Sequence, residues 1–304
     1  MNVTRRAVQL GTVVEVQVVG RRRVAREAAD RALAEIERLE QVFSLFRTDS
    51  ELNRWKRDEV PMPSDEMSAV MRVALAVQLE SANAFNPLAG ALTEVWRAAE
   101  AAGRLPDPDD LARVCEAIRS PRYEIDASGR PVRTGDCTGL NLHALAKGWI
   151  VDRAAEAAWG DGAFDAVLVN ASGDLRHLGA VAVEVGIENP LRPYEGEPPL
   201  LTVAVAGAGL ATSGRARQGF RIDGRWYGHV VDPRTGRTVD DVASVTVVAP
   251  EAATADATAT VIGVESPDAA LAVFTGTLRE LRLEVAALAP PDPEAAIALA
   301  LGHE

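Results

Sequence analysis

The chain has 304 residues and a formal net charge of −12, because 44 Asp and Glu residues outnumber 32 Lys and Arg residues. Apolar residues make up 47% and charged residues 25%, which is typical of a folded globular protein and excludes disordered and collagen-like chains. The acidic charge repels phosphate backbones and anionic membrane surfaces, so nucleic acid and membranes are not expected partners. An anionic ligand would need local backbone amides or a bound cation to offset this charge.

Cysteine spacing and hydropathy exclude three further kinds of feature. Cys115 and Cys137 do not form a C-x-x-C motif, so two buried thiols are predicted rather than a zinc site or a redox pair. No apolar run approaches the roughly 18 residues that a membrane-spanning helix needs. The basic N-terminus is followed by alternating apolar and polar residues rather than by the apolar core of a signal peptide, so we expect a cytoplasmic protein.

The first half of the chain is predicted to be mainly helical after an initial strand. The first twenty residues alternate in polarity and predict a strand with Val14, Val16 and Val18 on one face. Apolar positions at helical spacing then predict a helix over 25–43, and a polar loop follows over 47–57. Three helices and a small hairpin are predicted next, over 64–82, 88–102, 109–119 and 123–132.

The second half mixes strands and helices without strict alternation. A helix is predicted over 145–158, and the continuous apolar run 166–170 is typical of a strand covered on both faces. The remaining strands are predicted over 181–187, 201–205, 220–222, 226–231 and 242–249, and the remaining helices over 255–264, 268–283 and weakly after Pro293. This pattern favours an α+β fold, with a mixed sheet and packed helices, over a doubly wound parallel sheet.

Asp256 and Thr260 are the first candidates for chemistry. They are spaced i, i+4 in a predicted alanine-rich helix and therefore share one face, about 5–6 Å apart. A carboxylate beside a hydroxyl suits a hard cation. The alternative, which the spacing alone favours, is an Asp that interacts with the helix dipole and a Thr that bonds to a carbonyl of its own helix.

Two loop motifs also contain polar groups that a core does not need. The small residues of 170–174 would let backbone amides approach a ligand, although a tight turn capped by Asn170 explains them equally well. Segment 141–149 ends a loop and begins a helix, and its Lys147 either meets a phosphate or is simply solvated.

His229 is the histidine best placed for catalysis, because it lies between a predicted strand and a Pro-x-x-Gly turn. A histidine titrates near neutral pH and can therefore serve as a general base. A single histidine is nevertheless more often a hydrogen-bonded structural residue, and the sequence around His229 leaves both readings open.

Seven segments, in this order along the chain, resemble the signatures of the ApbE family, the FAD:protein FMN transferases. They are 10–12, 43–53, 84–87 with Trp96, 141–152, 170–174, 227–236 and 256–260. Together they span about residues 10 to 265, which is far more specific than any one motif. On these residues the chain is identified as a member of the family.

The resemblance implies an ApbE-like α+β fold, with a transferase domain over 1–285, either compact or divided into two subdomains, and a tail over 286–304. It implies that FAD is bound with Mg²⁺ on its pyrophosphate and that FMN moves to a threonine or serine hydroxyl of an acceptor protein, releasing AMP. It makes His229 the catalytic residue and Asp256, Thr260 and the Ala144 carbonyl the metal ligands. The flavin contacts that it implies are Leu10, Phe46, Ala84, Phe85, Asn86, Asn141, Lys147 and Val230.

Several residues depart from the family pattern. Asn86 and Asn141 stand where Asp is usual, and Arg215 replaces the Asp that follows Ser213-Gly214. Asn keeps an acceptor oxygen but loses the charge, so a ligand or a cation would be held less firmly. Two alternatives to FMN transfer therefore stay open: a family member that binds FAD without catalysis, and one that hydrolyses FAD to FMN and AMP with water.

Overall fold

The computed structural model describes residues 2–265, except 163, 195 and 241, together with the backbone of 284–288 and 297–301. The helices are α1 (Arg22–Phe43), α2 (Glu51–Lys56), α3 (Asp65–Glu80), α4 (Gly90–Ala102), α5 (Pro108–Ile118), α6 (His143–Trp159) and α7 (Ala252–Val264). The strands are β1 (Asn2–Gln9), β2 (Thr12–Val19), β3 (Tyr123–Ile125), β4 (Pro131–Arg133), β5 (Ala166–Ala171), β6 (Asp174–Leu178), β7 (Val183–Ile187), β8 (Leu201–Val205), β9 (Gly209–Gly214), β10 (Gly219–Ile222), β11 (Arg225–Gly228), β12 (Ser244–Ala249), β13 (Glu284–Leu288) and β14 (Ile297–Leu301).

One antiparallel sheet organises the chain. Within the described part of the chain, its eight strands have the order β1-β2-β5-β6-β9-β12-β13-β14, and three separate ribbons pair β3 with β4, β7 with β8 and β10 with β11. Helices α1, α6 and α7 pack side by side on one face of the sheet, while the β7–β8 ribbon covers part of the other face. The predicted α+β class is confirmed.

The core follows from the periodicities in the sequence. Val14, Val16 and Val18 of β2 are fully buried, as the alternation in polarity predicts. Ile36 and Leu39 of α1 are also fully buried, because they lie on the helix stripe that faces α6 and the sheet. Cys115 and Cys137 are both buried free thiols, as predicted.

The helices and the hairpin predicted in the first half are present, with small shifts at their ends. The single N-terminal strand is instead a hairpin of β1 and β2, joined by Leu10 and Gly11, which have φ of 55° and 69°. Helix α2 lies within the predicted polar loop, where Ser50 accepts a hydrogen bond from Asn53 N. Both differences arise from local turn and cap geometry that hydrophobic periodicity does not report.

In the second half, strands β6 and β9 were not predicted because they are short and carry polar and small residues. The weak C-terminal helix is wrong: Ile297–Leu301 is a strand that pairs with β13, and its Ile-Ala-Leu-Ala-Leu sequence fits a period of two as well as an alanine-rich helix. The helix predicted over 268–283 lies outside the described residues. The domain limit at 285 falls within β13 and stays a prediction.

Gly148 allows α6 and α7 to approach closely. A Cβ at this position would lie 2.5 Å from the Ala252 carbonyl oxygen, which is closer than real Cβ atoms come. We expect Gly148→Ala to force the helices apart and to lower the free energy of unfolding, measured in urea, by about 1–3 kcal/mol.

Gly263→Ala is the matched control for this substitution. Gly263 lies in α7, and a Cβ there would come no closer than 3.8 Å to the Ser213 hydroxyl. Because alanine favours the helix, this variant should gain up to about 1 kcal/mol. Equal effects at Gly148 and Gly263 would contradict a close-approach role for Gly148.

Candidate functional site

Two buried carboxylates and one lysine meet where α6, α7 and β6 come together. Asp174 begins β6 and is 1% exposed, while Asp256 lies in the second turn of α7 and is 7% exposed. The Lys147 ammonium of α6 lies 2.9 Å from Asp174 Oδ2, and Gly148 N donates to Asp256 Oδ2 over 3.4 Å. We call Asp174 and Asp256 the acidic pair.

The acidic pair carries more negative charge than its surroundings compensate. Burial raises the pKa of Asp256 well above its usual value, and the neighbouring Asp174 carboxylate raises it further. Burial also raises the pKa of Asp174, although Lys147 opposes that change. Among the described residues, neither oxygen of Asp174 has a hydrogen-bond partner of good angular geometry, so its contact with Lys147 is an ion pair. Two such carboxylates beside one ammonium form a site that a cation would stabilise.

The protonation state of Lys147 is determined by the two carboxylates beside it. Burial alone would lower its pKa, but the negative charges of Asp174 and Asp256 outweigh burial and raise it. Lys147 is therefore an ammonium at neutral pH, and about a third of its side chain remains exposed. Its ammonium can bind an anionic ligand through its exposed part while it stays paired with Asp174.

The other two predicted metal ligands lie on the same two helices. Thr260 is one turn after Asp256 in α7 and is half-buried, while Ala144 lies in the first turn of α6. The described residues contain no group of three or more His, Cys, Asp or Glu side chains that could hold a metal ion. The donor atoms that these predicted ligands offer are a carboxylate, a hydroxyl and a carbonyl, and oxygen is the kind of ligand that Mg²⁺ prefers.

Asp152 fixes α6 and α7 relative to each other. Helix α7 has no side-chain N-cap of its own, and Asp152 of α6 accepts hydrogen bonds from Ala252 N and Ala253 N, both 2.9 Å long. Arg176 Nε lies 3.4 Å from the same carboxylate. Burial raises the pKa of Asp152 to about 6 despite these donors. Because Asp152 caps the first residues of α7, it also fixes the position of Asp256, which lies one turn further along that helix beside Lys147.

His229 follows β11 and is half-buried. Its backbone N donates to the Gln218 carbonyl over 3.2 Å, and its Nδ1 lies 3.3 Å from the same oxygen. Burial lowers the pKa of His229, and the positive charge of Lys147 lowers it further, although the Gln218 carbonyl opposes this. The imidazole is therefore neutral at pH 7, and it is close enough to Lys147 to sense its charge.

Phe46 contacts His143, the first residue of α6. Their ring centroids are 6.2 Å apart, and Phe46 is 79% exposed. Burial lowers the pKa of His143 to about 4, and the charges of Lys147 and Lys56 contribute to this change. An exposed aromatic ring and two lysines therefore surround a neutral imidazole, which suits a planar ligand that carries phosphates.

The predicted residues 84–86 lie deeper in the protein. Ala84 and Phe85 are 1% and 2% exposed, so their side chains belong to the core. The Asn86 amide donates to the Ile118 carbonyl and to Asn83 Oδ1, and its own oxygen accepts from Leu88 N. An ionised Asp could not make the two donations, so the Asn that departs from the family pattern has a structural function here.

Asn141 joins this segment to the start of α6. Its backbone N donates to the Pro87 carbonyl over 2.7 Å, and its side-chain oxygen accepts from His143 N over 2.9 Å. The predicted contacts Leu10 and Val230 lie in loops: Leu10 N donates to Glu40 Oε1 over 2.8 Å, and Val230 lines a small cleft with Ser213 and Arg215.

Lys147 thus lies close enough to both Asp256 and His229 for its charge to lower the pKa of each. Sequence reasoning missed Asp174 and Asp152 as members of this site, although both lie in segments that it singled out. The signal for Asp174 was a carboxylate directly after a buried strand and a tight turn, where ligand-binding groups are commonly mounted.

A model of the ApbE family matches residues 10–283. The chain belongs to the ApbE family. It is 30% identical over 301 residues to the FAD:protein FMN transferase of Treponema pallidum, a match that covers 88% of this chain and 80% of that protein. It is 28% identical over 262 residues to the enzyme of the same name from Salmonella typhimurium, covering 81% and 74%. The chain is thus a member of a family of enzymes.

Solved structures of ApbE proteins share the fold. The ApbE protein of Thermotoga maritima superposes with a TM-score of 0.81 at 24% identity, over 99% of this chain and 97% of that one. The flavin transferase ApbE of Vibrio cholerae superposes with a TM-score of 0.75 at 20% identity, with the same coverage. No helix among the described residues combines the length and hydropathy needed to cross a membrane.

Proposed function

We propose that this protein transfers FMN from FAD to a threonine or serine hydroxyl of an acceptor protein and releases AMP. The observation that carries the proposal is the acidic pair beside Lys147, within electrostatic reach of a neutral His229. Family membership and the names of the relatives support the transfer of FMN from FAD to a protein, and the hydroxyl acceptor and the release of AMP are part of the proposal.

The same proposal assigns a Mg²⁺ site to Asp256, Thr260 and the carbonyl of Ala144, with Asp174 in the surrounding shell. When bound, the cation would neutralise charge on the pyrophosphate and on the departing AMP phosphate. It would also compensate the acidic pair, which explains how a protein with a net charge of −12 holds an anionic dinucleotide.

The residues of the chain supply the remaining steps. Lys147 holds a phosphate oxygen as a point charge, and His229 accepts the proton of the acceptor hydroxyl. The hydroxyl oxygen then forms a bond to the phosphorus of the FMN moiety, and the bond from that phosphorus to the bridging oxygen of the pyrophosphate breaks. AMP leaves with this oxygen, and the hydroxyl proton resides on His229 until solvent removes it.

The proposal is tested by incubating the protein with FAD and MgCl₂, with and without a purified acceptor domain that the Vibrio cholerae or Salmonella typhimurium enzyme flavinylates. We expect AMP, measured by chromatography, and covalent flavin fluorescence on the acceptor to appear in equal amounts, and only when acceptor and Mg²⁺ are both present. EDTA should abolish both products.

Other outcomes would identify the alternatives. AMP that forms at the same rate without acceptor would indicate FAD hydrolysis by water. Stable FAD binding with an intact pyrophosphate over long incubation would indicate a binding protein without catalysis. Either result would overturn FMN transfer as the function.

A further inference from the structure

Trp96 is a buried residue of α4 that contacts the elements on both sides of His229. Its ring is 4% exposed and stacks on Phe220, with centroids 5.7 Å apart and planes 25° apart. It also packs on Tyr227 at 5.3 Å. Its indole Nε1 donates a hydrogen bond to the Gly236 carbonyl over 2.9 Å.

These three partners enclose the His229 segment, which we define as residues 229–236. Phe220 and Tyr227 are directly paired in the β10–β11 ribbon, and Tyr227 lies two residues before His229. The segment ends in a turn in which Gly236 N donates to the Asp232 carbonyl over 2.8 Å. One rigid indole therefore holds the ribbon that precedes His229 and the turn that follows it.

We propose that Trp96 is a positioning residue for His229, because its stacking fixes the start of the His229 segment and its N–H fixes the end. The inference rests on the proposed function in giving His229 a catalytic role. The geometry of the contact itself does not depend on that role.

The position of His229 determines its environment as well as its reach. Lys147 of α6 is the charged group that acts on the imidazole of His229, and the Gln218 carbonyl is the polar group that faces it. Within the segment, Asp232 is paired with Arg234 at 2.9 Å. A looser segment would admit water around the imidazole and relieve the desolvation that lowers its pKa.

Trp96→Phe is the informative variant, since it keeps an aromatic ring against Phe220 and Tyr227 but removes the N–H that bonds to Gly236. We expect kcat for FMN transfer to fall about 10-fold to 100-fold, because the base is misplaced, and the KM for FAD to change by a smaller factor. The acid limb of the pH–rate profile should shift to higher pH, towards 6.5.

A second readout is independent of catalysis. Histidine ring resonances in ¹H–¹³C NMR, assigned to His229 by their loss in His229→Gln, give the midpoint of its titration directly. This midpoint should rise in Trp96→Phe even if the wild-type protein transfers no FMN, so failure of the inference and failure of the proposed function are distinguishable.

Trp55→Phe is the matched control. Trp55 is 1% exposed and packs edge-on against Tyr123 at 6.3 Å, so the substitution removes the same atoms from another part of the core. It should lower the melting temperature comparably without moving the His229 titration. An unchanged His229 midpoint and kcat in Trp96→Phe, or equal changes in both variants, would overturn the inference.

Discussion

Replacing His229 with glutamine is expected to lower the rate of FMN transfer by about 10²–10⁴-fold, the usual contribution of a general base. The glutamine amide can still donate a hydrogen bond to the Gln218 carbonyl, which lies 3.3 Å from Nδ1 in the native protein. It cannot accept the proton of the acceptor hydroxyl. FAD affinity, measured by the quenching of flavin fluorescence, should therefore change little while covalent flavin on the acceptor is lost.

The pH dependence of the rate of FMN transfer also tests the role of His229. Burial and Lys147 lower the pKa of His229, so the neutral form persists below pH 6.5 and the rate should fall only when the pH drops below that value. His177→Gln is the control, because His177 is fully buried and its Nδ1 accepts from Gly207 N in a structural contact. A His229→Gln enzyme that retains the wild-type rate and acid limb would exclude His229 as the base.

Asp256→Asn is expected to abolish activation by Mg²⁺ and to lower FMN transfer by at least about 10²-fold, because a charged ligand of the proposed cation is lost. In the absence of a divalent cation, the same variant should be more stable than the wild type by about 1 kcal/mol or more, since it leaves Lys147 paired with a single carboxylate. Thermal unfolding with and without MgCl₂ measures both effects.

The sign of the pH effect on stability follows from the acidic pair. Because burial and Asp174 raise the pKa of Asp256, the folded protein binds more protons than the unfolded chain above the ordinary Asp pKa. Without a cation, wild-type stability should therefore fall as the pH rises from about 4 through the raised pKa, and Asp256→Asn should reduce this dependence.

Asp30→Asn is the charge-matched control, because Asp30 is an exposed carboxylate 3.2 Å from Arg5. It removes one negative charge from the surface and should leave the Mg²⁺ response intact. If Mg²⁺ raises the melting temperature of Asp256→Asn as much as that of the wild type, the cation is bound elsewhere.

The sequence predicted those parts of the fold that depend on periodicity. The buried valines of β2, the apolar stripe of α1 and the α+β class follow from the spacing of apolar residues. The hairpin turns were harder to predict, because Leu10 and Ser172 take positive φ angles of 55° and 56° without the Asn-Gly or Asp-Gly pair that usually marks such turns.

The sequence predicted the individual residues of the candidate site but not their arrangement in space. Lys147, Asp256 and His229 were each singled out from their local sequence, yet nothing local says that they approach one another. The proximity of Lys147 and Asp256 depends on the close approach of α6 and α7 at Gly148, a contact between residues distant in the chain. The same limit explains why Asp174 was not chosen, since its importance comes from its neighbours in space.

The hydrogen bonds from Ala252 and Ala253 to Asp152 also determine how α6 and α7 are placed relative to each other. The groups on α6 and α7 that would face a ligand do not set their own spacing. Their spacing is set by the hydrogen bonds between Asp152 of α6 and the first residues of α7. The loss of these two hydrogen bonds would therefore shift α7 against α6 and displace Asp256 from Lys147 without any change in either group.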